Sequence, residues 1–99
     1  MVTMNRNQIL QIIKEEKPFL KQQFGLRSIG IFGSYAKDLE QPASDIDLLV
    51  EFSEPRFDFI AGLQIYLENR LGRPVEIIRK RKNISKRFLA RIEKDIHYA

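Results

Sequence analysis

Cysteine and tryptophan are absent from this sequence of 99 residues, and histidine occurs once, at His97. Without thiols there is no disulfide framework, no cysteine nucleophile and no cysteine-based zinc site. One histidine supplies too little nitrogen for a zinc cluster, so oxygen ligands must hold any metal ion. No apolar run reaches the roughly 18 residues of a membrane span, and the first residues lack the pattern of a signal peptide. We therefore expect a cytoplasmic protein that does not enter a membrane.

Charge is distributed unevenly along the chain. Seventeen basic and thirteen acidic residues give a net charge of +4 at pH 7. Residues 79–99 hold eight basic and two acidic residues, a local charge of +6, which leaves −2 for residues 1–78. A slightly acidic body with a basic C-terminal end suits contact with an anionic partner at that end.

The length of the chain predicts one domain, residues 1–99. A chain of this size buries only about 60–65% of the surface that it exposes when unfolded. We expect one modest hydrophobic core, which contact with a partner would help to stabilise.

Hydrophobic periodicity predicts an alternation of helices and strands. We predict helices over residues 5–24, 56–71 and 84–96, with residues 97–99 as a frayed helix end, and strands over 26–32, 45–52 and 74–79. Between the first two strands we predict one helical turn and a loop around Pro42. Pro18 predicts either a kink or a break in the first helix. The apolar run Leu48, Leu49 and Val50 predicts a central strand. The fold class is α/β (α+β), a small mixed sheet with helices packed against it.

Two short segments carry the residues suited to chemistry. Gly33 and Ser34 end the first strand, and Asp45, Ile46 and Asp47 follow ten residues later. Side chains alternate along a strand, so Asp45 and Asp47 face the same way and repel each other unless a cation lies between them. Mg²⁺ prefers carboxylate oxygens together with substrate phosphates. Gly33 lets the backbone approach a phosphate closely, and Ser34 adds a donor. The pattern predicts a metal site and a phosphate site on neighbouring strands.

A third acid, Glu76, lies in the otherwise apolar segment 74–78. If this strand pairs beside Asp45 and Asp47, the Glu76 carboxylate reaches the same metal and can accept the proton of an attacking hydroxyl. The alternative is that Glu76 is a solvent-facing residue of an edge strand. Three acids opposite a Gly-Ser turn predict a site for two-metal nucleotidyl transfer, with all three acids as metal ligands and catalytic residues.

These segments resemble the G-S-x10-D-x-D signature of the DNA polymerase β superfamily of nucleotidyltransferases, and the chain is similar along nearly its whole length to the minimal nucleotidyltransferases of prokaryotes. The resemblance implies a polymerase β-like nucleotidyltransferase fold, ATP as substrate and two Mg²⁺ ions as cofactor. It assigns Gly33 and Ser34 to the triphosphate, Asp45 and Asp47 to the metal ions, and Glu76 to the position of the family's third acid.

The residues after the turn depart from the family pattern G-S-x-A-R-G. Lys37 stands where the family has arginine, and we expect it at the triphosphate, with the positive charge but without the fork of a guanidinium. Asp38 replaces a glycine whose position is expected to need a positive φ, which aspartate tolerates better than most residues.

The resemblance also implies a partner. Many minimal nucleotidyltransferases are encoded beside a HEPN-domain ribonuclease toxin and act as its antitoxin by transferring AMP to a tyrosine of the toxin. Two alternatives stay open: a non-catalytic antitoxin that neutralises the toxin by binding alone, and nucleotidyl transfer to an RNA or a small molecule. The basic segment 79–94 has two interpretations. It is a contact for nucleic acid or for a protein partner, or its cations at 79–82 form a solvated loop without a ligand.

Overall fold

The computed structural model of the chain describes residues 4–39, 44–54 and 56–99, and these residues form three helices and four strands. In chain order the elements are α1 (Arg6–Phe24), β1 (Leu26–Phe32), β2 (Ile46–Phe52), α2 (Phe57–Leu71), β3 (Val75–Arg79), α3 (Lys86–Glu93) and β4 (His97–Tyr98). The strands form one sheet in the order β3-β2-β1-β4. Strand β1 runs antiparallel to β2 and β4, whereas β2 and β3 are parallel. The predicted small mixed sheet is confirmed, with β2 in an inner position.

Helix α1 begins with a reciprocal cap. The Asn5 side chain accepts from the backbone N–H of Gln8, and the Gln8 side chain accepts from the N–H of Asn5, each at 2.9 Å. The helix continues through Pro18, so a break at this residue is wrong. Pro18 is exposed, while Ile13 before it and Leu20 after it are completely buried. Burial on both sides of the proline compensates for the one hydrogen bond that it removes.

The two faces of the sheet are covered differently. Alternate residues of β2, namely Ile46, Leu48 and Val50, are completely buried in the main core. Helices α1 and α2 supply the other side of this core. The remaining β2 side chains lie on the opposite face because side chains alternate along a strand. On that face α3 packs through an edge-to-face contact between Phe32 and Phe88, whose ring centroids are 6.3 Å apart.

The C-terminal end differs from the sequence prediction. The prediction of a helix over 84–96 is too long: Ser85 caps the start of α3, and the helix ends at Glu93. The prediction of a frayed helix end is wrong, because His97 and Tyr98 form strand β4. Strand β4 pairs with Gly30 and Ile31 of β1. A Cβ atom at Gly30 would lie 2.8 Å from the Ile96 side chain, so the absence of a side chain at Gly30 lets the chain close onto β1. An open strand edge offers hydrogen bonds that a fraying helix end lacks.

The segment after β1 forms a tight turn. The N–H of Lys37 donates to the carbonyl of Gly33 at 3.2 Å, and the N–H of Leu39 donates to the carbonyl of Ser34 at 2.8 Å. The single helical turn predicted here matches this pattern, whereas the predicted loop around Pro42 lies outside the described residues. None of the described helices has the length and apolar character needed to cross a membrane.

Candidate active site

The parallel pairing of β2 with β3 sets two acids side by side. Asp47 and Glu76 are direct partners in the register of these strands. Asp47 therefore projects from the sheet face opposite the main core, and Glu76 neighbours it there. Asp45 is exposed and comes immediately before the first residue of β2. The pairing that the sequence analysis required for Glu76 is the pairing that the structure has.

Electrostatic repulsion acts within this group of acids. Burial, the charge of Glu76, a hydrogen bond with Glu76 and the charge of Asp45, in decreasing order, raise the pKa of Asp47 from 3.8 to about 6. Each of these causes disfavours the ionised form of Asp47. A cation bound between the carboxylates would remove the repulsion and restore the ionised form.

The acids suit a hard cation better than a soft one. Carboxylate oxygen is the only donor type in the group, and this is the ligand class of Mg²⁺. Within the ranges 4–39, 44–54 and 56–99, no three acidic, histidine or cysteine side chains are already close enough together to hold a metal ion. Asp47 and Glu76 form the adjacent pair, and the exposed side chain of Asp45 has room to turn toward them. The residues fit a divalent cation, and a bound cation would draw the third acid in.

Gly33 lies directly against Asp47. Its φ is +75°, a conformation that favours glycine, and a Cβ atom at this position would overlap the Asp47 carboxylate. The neighbouring residue Phe32 is the β1 partner of Asp47. The sequence suggested that Gly33 gives room for a phosphate, and the structure adds that Gly33 gives room for the Asp47 carboxylate.

The rest of the turn holds the other residues expected at the triphosphate. Ser34 is half-buried and directly follows Gly33. The Lys37 Nζ lies 3.9 Å from Asp95 Oδ2, with 51% and 44% of these side chains exposed. Such an exposed pair is weak, so an incoming phosphate can displace Asp95 from Lys37. Asp38 has a φ of +57°, which confirms the expected positive φ at this position.

Two arginines that the sequence analysis did not single out hold the backbone on either side of the site. Arg6 Nη1 donates to the carbonyl of Ala36 at 2.8 Å, across 30 residues of chain. Arg73 Nη2 donates to the carbonyl of Ser44 at 2.9 Å, next to Asp45 and across 29 residues. Contacts between residues so far apart leave no local pattern in a sequence, so only the folded structure reveals them.

Acids on two neighbouring parallel strands, beside a glycine-serine turn, are the arrangement of an enzyme that transfers a nucleotidyl group. The chain belongs to the nucleotidyltransferase domain family, whose sequence model matches residues 8–98. A protein of Methanocaldococcus jannaschii whose assigned name is protein adenylyltransferase is 38% identical over 96 residues, which cover 93% of this chain and 95% of the relative. The protein adenylyltransferase MntA of Thermococcus cleftensis is 37% identical over 81 residues, covering 81% and 82% of the two chains.

Solved structures share this fold. A structure described as a minimal nucleotidyltransferase superposes with a TM-score of 0.72, 25% identity and 98% of both chains covered. A chain from the complex of a tri-AMPylated HEPN toxin with its MNT antitoxin from Shewanella oneidensis shares the fold, with a TM-score of 0.61, 18% identity, and 90% of this chain and 70% of that chain covered. The predicted family and fold are confirmed, and the chain is a nucleotidyltransferase.

Proposed function

We propose that this nucleotidyltransferase transfers AMP from Mg²⁺-ATP to a tyrosine hydroxyl of a HEPN-type ribonuclease toxin and thereby acts as its antitoxin. The observation that carries the proposal is the register pairing of Asp47 with Glu76, with Gly33 lying against Asp47. The two relatives named protein adenylyltransferases, at 38% and 37% identity, support a protein as the acceptor. In this proposal residues 1–99 act as one catalytic domain in the cytoplasm.

Each residue of the site has a part in the transfer. Asp45, Asp47 and Glu76 hold the Mg²⁺ ions, which supply positive charge against the triphosphate when bound. Gly33 and Ser34 contact the phosphates, and Lys37 exchanges Asp95 for a phosphate oxygen.

The reaction is an in-line displacement at the α-phosphorus of ATP. Glu76 accepts the proton of the tyrosine hydroxyl. The tyrosine oxygen bonds to the α-phosphorus, the bond from this phosphorus to the oxygen that bridges to the β-phosphate breaks, and pyrophosphate leaves. The positive charge of Lys37 beside the triphosphate lowers the barrier in this scheme.

Labelling tests the proposal directly. The purified protein is incubated with Mg²⁺, ATP labelled at the α-phosphate and lysate of its source cell. We expect label on one small protein, loss of this label with Asp45→Asn, and retention with Glu15→Gln, which removes the same charge from the exposed side of α1. Label on RNA, or equal protein labelling by the wild type and Asp45→Asn, would contradict the proposal.

A non-catalytic antitoxin is the second candidate. Its supporting observations are the contact of Lys37 with Asp95, which occupies a cation expected at the phosphates, and the fact that no three acids among the described residues are grouped closely enough to hold a metal ion. If binding alone neutralises the toxin, Asp45→Asn protects cells against it as well as the wild type does. Loss of protection in Asp45→Asn, with the toxin still bound, favours the catalytic antitoxin.

A further inference from the structure

A cleft of about 340 Å³ lies at the outer edge of β3, on the strand that also carries Glu76. Its lining consists of four isoleucines and two arginines, namely Ile60, Ile77, Ile78, Ile84, Arg79 and Arg81. Successive side chains of a strand point to opposite faces, so a cleft that touches both Ile77 and Ile78 wraps around the edge of the sheet. In the order β3-β2-β1-β4, strand β3 is at one end. On the outer side of β3, the Val75 N–H donates to Glu68 Oε2 and the Val75 carbonyl accepts from Gln64 Nε2. The backbone groups of Ile77 and Arg79, which point to the same side of the strand, are those that can pair with an added strand beside the cleft.

The cations of residues 79–82 lie beside this cleft. None of the ion pairs between described residues includes any cation of residues 79–82. Arg79 and Arg81 line the cleft, while Lys80 is half-buried and Lys82 is exposed. Four successive cations that form no ion pair with a described residue create a positive potential that favours an anionic ligand.

Apolar surface continues beyond the cleft along α2. Phe57 is three residues before Ile60, and residues at this spacing lie on the same side of a helix. Phe57 is 82% exposed, although Ile60 on the same side of the helix lines the apolar part of the cleft. Exposed apolar surface next to uncompensated positive charge is typical of an interface with a protein.

We propose that an extended acidic segment of a protein partner adds to the outer edge of β3, with apolar side chains in the cleft and carboxylates on Arg79 and Arg81. Pairing of backbone groups along an edge strand, with side chains filling adjacent pockets, is an established mode of peptide recognition. An RNA strand would use the cations but would leave the isoleucine floor and the strand edge without a partner.

The position of the cleft connects it with the candidate active site. Glu76 and Arg79 are three residues apart on β3, a separation of about 10 Å along a strand. A segment held along this edge brings a hydroxyl on a neighbouring part of the same partner close to Glu76. That this partner is also the AMP acceptor rests on the proposed function. The docking of an acidic segment at β3 does not.

Fluorescence anisotropy with a labelled peptide, Asp-Ile-Glu-Val-Asp-Ile-Glu with both ends blocked, tests the docking surface on the full chain. We expect the peptide to bind the wild type and to bind Arg79→Glu/Arg81→Glu about tenfold or more weakly, because like charges then face each other. The matched control Lys14→Glu/Lys21→Glu makes the same charge change at exposed positions of α1 and should bind as the wild type does. An equal loss in both double variants would contradict the proposal. Tighter binding of an oligouridine, lost in the same variant, would also contradict it and assign the surface to RNA.

Nuclear magnetic resonance of the unmodified chain keeps the test independent of how the variants fold. On addition of the same peptide, the amide signals of residues 77–81 should shift, while those of buried α1 residues such as Ile13 should not. No shift at residues 77–81 at a saturating concentration overturns the proposal.

Docking and catalysis can be separated in the labelling assay. Arg79→Glu/Arg81→Glu should raise the acceptor concentration for half-maximal labelling about tenfold and leave the ATP dependence unchanged. Asp45→Asn should bind the peptide normally and transfer nothing. If no acceptor is labelled by the wild type but the peptide still binds at β3, the proposed function fails and the docking surface stands.

Discussion

Replacing Asp47 by asparagine should stabilise the metal-free protein, because the folded state holds this charge at a cost. Burial, Glu76 and Asp45 raise the pKa of Asp47 from 3.8 to about 6. An acid whose pKa is higher in the folded than in the unfolded state destabilises the fold whenever it is ionised. The penalty is absent below about pH 4, grows between about pH 4 and 6, and is complete above that range. Asparagine removes the penalty and can still donate a hydrogen bond to Glu76.

The size of the effect follows from the pKa of Asp47. An increase of about two in the pKa of Asp47 corresponds to a free-energy cost of about 3 kcal/mol for holding the ionised form in the folded state. Because Asp47 is only partly buried, screening by solvent reduces this figure to about 1.5 kcal/mol. In a domain of this size the gain corresponds to an increase in Tm of about 6–12 °C.

Thermal unfolding followed by circular dichroism, with a chelator present and at several pH values, measures this gain. We expect Asp47→Asn to have the higher Tm near neutral pH and a Tm equal to that of the wild type near pH 4. Asp58→Asn is the matched control, because Arg56 holds the pKa of Asp58 below its usual value, so its removal should not stabilise the protein. A lower Tm for Asp47→Asn at neutral pH, or the same gain at both pH values, would refute the assignment of a repulsive carboxylate cluster.

Three other outcomes follow from the site and the core. Mg²⁺ should raise the Tm of the wild type and leave that of Asp47→Asn nearly unchanged, whereas equal shifts would place the bound ion elsewhere. Gly33→Ala should lower the free energy of unfolding by about 1–3 kcal/mol in chemical denaturation, because the alanine Cβ would overlap the Asp47 carboxylate at a positive φ. The same overlap should abolish AMP transfer, and normal transfer would contradict this expectation. Tyr35→Phe should cost nothing or stabilise by up to about 1 kcal/mol in the same assay, because the buried Tyr35 hydroxyl has no hydrogen-bond partner among the described residues; a clear loss of stability would show that the hydroxyl has a partner.

Much of the fold is predictable from local patterns in the sequence. Strand β1 has the predicted bounds, Leu26–Phe32, and α2 ends at the predicted residue, Leu71, with Gly72 after it in the left-handed conformation that glycine favours. These features depend on neighbours in the chain, as does the positive φ of Asp38. The spacing of Asp45 and Asp47, taken with the Gly33-Ser34 turn, predicts a cation site, because alternate side chains of a strand share one face.

The remaining features depend on contacts between distant parts of the chain. The two-residue strand at His97 and Tyr98 exists because β1 has an open edge and Gly30 leaves space there, neither of which the sequence of the C-terminal segment reveals. The support that Arg6 and Arg73 give to the site is likewise a product of the fold. The roles of Gly33, Ser34, Lys37, Asp45, Asp47 and Glu76 in binding and transfer stay predictions that the variants above test.

Intact-mass spectrometry shows whether a HEPN-type toxin, identified by the labelling experiment, is modified after incubation with the protein and Mg²⁺-ATP. We expect the wild type to add the mass of AMP to a tyrosine of the toxin and to abolish its ribonuclease activity, and we expect Asp45→Asn to do neither. If Asp45→Asn suppresses the ribonuclease activity equally well and the toxin mass never changes, the protein neutralises its partner by binding, and the catalytic account is wrong.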